Sequence, residues 1–368
     1  MDALDRLIAD CMLGRLRWPD SCDPQAFLAR VQLHGVGALL HASIEREAPP
    51  TPVPAQVRET LRALALRAAA VDLDCRIQLP RLLELMADAG VRPILIKGTP
   101  LAYTHYPEPG QRERADTDLL VRQAERERLF ALLESQGYLR GDGTGAELAS
   151  AEASFWKDGS PLVLDVHWRI RSSPLLARVL EFDELEAQAV PLPALGPHAR
   201  APGPVDAVLL AAIHRASHYQ SPFYVDGVAH RGDRLIWLYD LHLLAPALTE
   251  AQAAELARRA AEHRVAGLCL DALRSTGDAF GTLLPRALLE ELEHAASRRE
   301  PSMVFLRGGR RALLLAELGA LPRWRERWQL LREHAFPPGD YILRKYETRK
   351  RWLLPALYVR RAVGWLTK

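Results

Sequence analysis

VRPILIKGTPLAYTHYPEPGQRERADTDLLV, residues 91–121, is the stretch that decides the fold. PILIKG reads as a short apolar strand, and Thr99-Pro100 opens a brief helix with proline in its first turn. The loop HYPEPGQRERA follows, its course fixed by two prolines and a glycine. A second strand then carries Asp116 and Asp118 ahead of the apolar residues Leu119 and Val121. Side chains alternate faces along a strand, so residues i and i+2 share a face with Cα atoms about 6.5–7 Å apart. Asp116 and Asp118 therefore present neighbouring carboxylates. Two such groups on a buried strand repel each other unless a cation joins them. Mg²⁺ suits that position, because it takes hard oxygen ligands and keeps sites for water and substrate phosphates.

Outward from this stretch, LVLDVHW (162–168) alternates apolar and polar residues and places Asp165 and His167 on one face of a further strand. Pairing of that strand with 116–121 would gather three carboxylates. Carboxylates that bridge two cations about 3.5–4 Å apart form the clamp used in phosphoryl and nucleotidyl transfer. The Gly98-Thr99 turn offers close backbone approach and free N–H groups to a phosphate.

Taken in order, Lys97-Gly98, the Tyr-Pro-x-Pro-Gly of 106–110, Asp-x-Asp and Asp-x-His-Trp resemble the uncharacterised nucleotidyltransferase family of the DNA polymerase beta-like superfamily. Its members carry Lys-Gly where most relatives carry Gly-Ser. The resemblance runs from near residue 30 to near the C-terminus. It implies an α+β fold, with a small mixed sheet of polymerase beta-like type between helical lobes. It also implies a Mg²⁺-dependent enzyme that moves a nucleoside monophosphate from an NTP to a hydroxyl or phosphate acceptor and releases pyrophosphate. On this reading Asp116, Asp118 and Asp165 are catalytic and hold two Mg²⁺ ions, with Mn²⁺ the alternative. In related transferases the third acid orients or deprotonates the acceptor, which falls to Asp165 here. Lys97, Gly98, Thr99, Arg112 and Arg234 are the candidate nucleotide-binding residues. Lys97 has two compatible roles, on substrate phosphate or in an ion pair with Asp116. His167, His214, His218 and Asp240 are candidates to support the site, Asp240 as an internal ion pair or cap. His214 and His218 stand at i and i+4 on one helical face, without the glutamate of a zinc-protease pattern.

Composition fits a soluble globular chain: 368 residues, 48% hydrophobic, 26% charged, net charge +2. The charge is unevenly spread. Residues 298–368 hold 17 Lys/Arg against 6 Asp/Glu, a local +11, leaving −9 for residues 1–297. The C-terminal arginines are spaced along helices, and the Trp and Leu between them read as a core-facing stripe. Four cysteines lie far apart without a CxxC pair, no apolar run reaches the ~20 residues of a membrane span, and the first residues lack a signal layout. A reduced, cytoplasmic protein is expected.

Four segments are expected: an N-terminal helical lobe (1–90), the α/β core (91–170), a Pro-rich connection (171–203) and a C-terminal helical lobe with a basic tail (204–368). Asp23-Pro24 starts a helix, Pro80 is expected to kink or split one, and Gly90 and Gly137 cap others. YLRGDGTGAEL (138–148) reads as flexible, and ASFWKDGSPLVLDVHW as a hairpin turning at Asp158-Gly159. The partners expected are an NTP and an acceptor that is a small molecule, peptide or protein, with nucleic acid disfavoured. Two rivals stand beside this reading. One is a toxin-like or modifying transferase acting on a protein, peptide or RNA. The other is an inactive nucleotide-binding module, against which the retention of all three acids argues.

Overall fold

The structure is a computed structural model that describes residues 1–47, 51–141, 148, 150–297 and 299–366. Most of the expected flexible stretch 138–148 lies outside the described residues. Four helices come first: α1 (Ala3–Met12), α2 (Pro24–His34), α3 (Gly37–Glu47) and α4 (Ala55–Asp88). Asp23 caps α2 as expected, its carboxylate accepting from the Gln25 and Ala26 amides. Pro80 does not split α4, which runs as one helix of 34 residues. Proline deletes a single backbone bond, and the rest of so long a helix, packed along the sheet, holds it together.

The sheet follows, as β1 (Ile94–Ile96), α5 (Gly98–Thr104), β2 (Thr117–Leu120), α6 (Arg126–Ser135), β3 (Leu139–Arg140), β4 (Glu152–Trp156) and β5 (Leu164–His167). Gly90 and Gly137 both take the left-handed conformation just past α4 and α6, as expected of caps. The strand order is β1-β2-β5-β4-β3. β2 and β5 run parallel, with Asp118 directly opposite Asp165, and the other neighbours are antiparallel. β4 and β5 form the expected hairpin, with Gly159 at φ 78° in its turn.

A connection holding α7 (Phe182–Ala187) and the ribbon β6 (Val190–Pro191) with β7 (Arg200–Ala201) leads to α8 (Pro204–Ser217). A hairpin, β8 (Phe223–Val225) with β9 (Val228–His230), precedes α9 (Leu235–Leu244), α10 (Glu250–Glu262), α11 (Ala266–Phe280) and α12 (Arg286–Ala296). The chain closes with α13 (Val304–Arg307), α14 (Arg310–Ala320), α15 (Trp324–Ala335), α16 (Gly339–Lys345) and α17 (Leu354–Leu366). No helix among the described residues is long and apolar enough to cross a membrane.

Strand alternation sorts the sheet into two faces. Leu95, Leu119, Leu164, Val166 and Phe155 pack against Leu79, Leu83 and Met86 of α4 and Leu129 and Leu133 of α6. At about 1.5–3 kcal/mol per fully buried side chain, this cluster holds β1, β2, β4 and β5 in register. Ile94, Ile96 and Leu120, on the opposite face, join a second core shared by α1–α3 and α8–α11. Helices from before and after the sheet thus close over one face together. That face also carries Asp118 and Asp165.

The basic C-terminal region corrects one expectation. Leu330 is buried, whereas Trp324, Trp328 and Trp352 are 71%, 66% and 73% exposed. The core-facing stripe there is made of leucine, and the indoles face outward.

A candidate active site on the acid-bearing strands

Lys97 ends β1 at φ 60°, ψ −128°, a conformation that side-chain-bearing residues rarely adopt. It leads directly into α5, and the Lys97 ammonium lies over β2. Nζ donates to Asp118 Oδ1 at 2.5 Å and stands 3.3 Å from His167 Nε2. The ion pair expected with Asp116 is thus made with Asp118. Strand pairing supplies the rest of the cluster. His167 lies on the same face of β5 as Asp165, and its Nε2 is 2.7 Å from Asp118 Oδ1. Its Nδ1 is 3.2 Å from Glu152 Oε2, the residue opposite it on β4. Ser154, opposite Asp165, hydrogen-bonds that carboxylate.

Asp118, Asp165 and His167 each offer a ligand atom, all within 4.8 Å of one another. Asp116 is outside this set; it sits just before β2, half-buried. Burial, and then the charges of Asp118 and Asp165, push its carboxyl up to about 8. Burial opposes the ionisation of Asp118 as well, but Lys97 and His167 overcome it and hold that carboxylate at about 2. Asp165 is raised by burial, with Ser154 working the other way. The cluster thus gathers three carboxyl groups around the one ammonium of Lys97, and Asp116 keeps its proton because it is buried and their charges repel. A divalent cation fits it: the carboxylates are hard oxygen donors, while His167 already holds Asp118 and so supports a ligand from behind.

Arg112 points inward. Its Nε and Nη2 meet both oxygens of Asp240 at 2.7 Å, and Nη1 donates to the Glu113 carbonyl at 2.6 Å. The Tyr106 hydroxyl donates to the same carboxylate at 2.8 Å. The fork expected to face a phosphate is closed on Asp240, the internal ion-pair partner anticipated for that aspartate. Gly98 is shaped by this pair: a Cβ there would come 3.4 Å from the Arg112 guanidinium carbon. Thr99 joins Thr117 across the β1–β2 pair at 3.2 Å between hydroxyls. Arg234 precedes α9 and donates to the Leu33 carbonyl at 2.8 Å. Burial and the nearby Arg112 lower it to about 10.

His214 and His218 do share a face of α8, ring centroids 4.6 Å apart, with His218 stacked on Trp237 at 4.7 Å. Burial holds both neutral, His218 down at about 3. His214 and Lys97 also line a mostly apolar cavity of about 110 Å³, walled by Pro100, Leu101, Ala207 and Leu210.

The model for an uncharacterised nucleotidyltransferase family matches residues 20–281. The chain belongs to that family. The match ends at Gly281, the left-handed residue that closes α11, well short of the C-terminal end anticipated from the motifs. No curated protein and no solved structure matches the chain. Membership carries nucleotidyl transfer as the general activity, and hence an NTP as a substrate.

Sequence reasoning missed Glu152 and Ser154. Both were within reach, as alternate polar residues on the strand across the hairpin from Asp165 and His167.

Proposed function

We propose that the chain is a divalent-metal nucleotidyltransferase whose site is built on β2 and β5 of a polymerase beta-like core. The observation that carries this reading is the parallel register that sets Asp118 against Asp165, with Lys97 over Asp118 and Asp116 alongside. Residues 91–170 form the catalytic core in this reading, between helical lobes 1–90 and 204–368 joined by 171–203. When bound, two Mg²⁺ ions, or Mn²⁺, held by Asp116, Asp118 and Asp165 supply charge neutralisation for the triphosphate.

The chain's own residues do the positioning. His167, with Glu152 beside its far nitrogen, holds Asp118 in place from one side and Lys97 balances it from the other. Asp165, raised by burial, accepts the proton of the acceptor hydroxyl. The oxygen so freed forms its bond to the α-phosphorus as the bond to pyrophosphate breaks, and the product leaves as the nucleotidylated acceptor. Lys97 lies close enough to meet a phosphate as a point charge. Arg234, with no carboxylate ion pair among the described residues, is a second such cation. The apolar cavity beside Lys97 and His214 takes an uncharged part of a substrate. Four free cysteines accord with a reduced, cytoplasmic setting.

The test is a screen of the four NTPs with Mg²⁺ and Mn²⁺ for pyrophosphate release and self-labelling. Turnover lost in Asp118→Asn and Asp165→Asn is expected. Full activity in either variant would remove that residue from the catalytic role.

A further inference from the structure

Arg171 follows His167 by four residues, just past the end of β5, and its side chain is half-buried. Glu152 and Asp118 are close enough for their charges to act on it, and burial lowers its pKa. Yet among the described residues it makes no ion pair and no hydrogen bond. Other arginines of the α/β segment are already engaged. Arg112 is closed on Asp240, Arg114 pairs with Asp72 at 2.7 Å, and Arg169 donates to the Ser150 carbonyl at 2.5 Å. A guanidinium taken from water without a partner is costly, and its planar fork matches phosphate oxygens better than any other side chain. Its surroundings are cationic or neutral on one side: its charge and that of Lys97 reach both imidazoles of α8, which stay unprotonated.

We propose that Arg171 is the residue that grips the polyphosphate tail of the nucleotide, extending the site from Asp118 past the end of β5 toward the His214–His218 face of α8. The ligand is a polyphosphate, carried by an NTP or free. This rests on the nucleotidyl-transfer reading and adds to it the direction in which the leaving group lies. The apolar cavity lined by Lys97 and His214 is then left to the uncharged part of a substrate.

The experiment titrates the full chain, with Mg²⁺, against inorganic tripolyphosphate and against each NTP by calorimetry, for the parent, Arg171→Gln and Arg171→Lys. Loss of a charge-assisted hydrogen-bonding group should weaken tripolyphosphate by about 10- to 100-fold, and Arg171→Lys should recover part of it. KM for the NTP used should rise by a similar factor with kcat changed less, and melting temperature should hold or rise, since an unpartnered charge is removed and no protein contact is lost. A parent that binds and turns over an NTP, alongside an Arg171→Gln variant that binds tripolyphosphate equally well, overturns this assignment and leaves the enzymatic reading intact. A parent that binds neither tripolyphosphate nor any NTP overturns both. If Arg171→Gln fails to fold, Arg171→Lys with unchanged tripolyphosphate affinity and unchanged KM also counts against it.

Discussion

Asp116 and Asp118 look alike in sequence, but the structure separates them, and their asparagine variants should move stability in opposite directions. Asp118 is ionised and held by Lys97 and His167. Asp118→Asn leaves the Lys97 ammonium buried beside a neutral amide, and breaking a buried pair in this way costs about 3–5 kcal/mol. Asp116 has no such partner, and its carboxyl is pushed up to about 8 from 3.8. At pH 7 the folded protein keeps a proton there that the unfolded chain releases. At about 1.4 kcal/mol per pKa unit, the ceiling on that cost is about 4 kcal/mol. The carboxylate is only half-buried, so we expect about 1–2 kcal/mol to be recovered in Asp116→Asn. The sign follows from proton uptake. The folded state binds more protons between pH ~4 and ~8, so metal-free stability falls as pH rises through that window. Asp118 works the other way, its contribution present above its ordinary pKa of 3.8 and lost as pH falls through about 2. Thermal or urea unfolding in EDTA at pH 5.5 and 7.5 measures this. Asp116→Asn should be the more stable variant, by a margin over the parent that grows with pH. Equal destabilisation of both variants, or a neutral Asp118→Asn, would refute the argument.

Gly98→Val should displace the Arg112 guanidinium and lower both melting temperature and turnover, while Gly98→Ala, whose Cβ only touches it, should cost far less; calorimetry of the two side by side decides. Asp240→Ala should destabilise by about 3–5 kcal/mol by stranding Arg112, and the paired change Arg112→Met with Asp240→Leu should restore much of it, read by urea unfolding. In the C-terminal region, Trp324→Ala and Trp328→Ala should each change stability by under about 0.5 kcal/mol, whereas Leu330→Ala should lose about 2–5 kcal/mol, as thermal melts would show.

The acids were legible because they are polar residues on short strands otherwise rich in apolar ones: Asp118 precedes Leu119 and Leu120, and Asp165 and His167 alternate with Leu164 and Val166. That the two strands would pair was legible too, but their register was not: a slip of two residues would keep Leu119 and Val166 on the same face. What escaped was the identity of the partners. A guanidinium suits a carboxylate and a phosphate equally, so sequence could not tell that Arg112 closes on Asp240, a residue 128 positions away. The outward turn of Trp324 and Trp328 was missed for a related reason. Leu330 and Trp328 both fit an apolar stripe, and which of them faces the core depends on what packs opposite. Pro80 read as a break because the local cost was visible and the packing along α4 was not.

That long helix has one further consequence. Near its middle Asp72 meets Tyr103 and Arg114 of the segment between β1 and β2. Less than two turns later, Gln78 meets Ser160 of the β4–β5 turn. The helix is a ruler against which both acid-bearing strands are set. A single residue inserted between positions 72 and 78 would rotate one set of contacts by about 100° against the other. Length variation in this protein should therefore be tolerated in its surface loops and rejected inside α4.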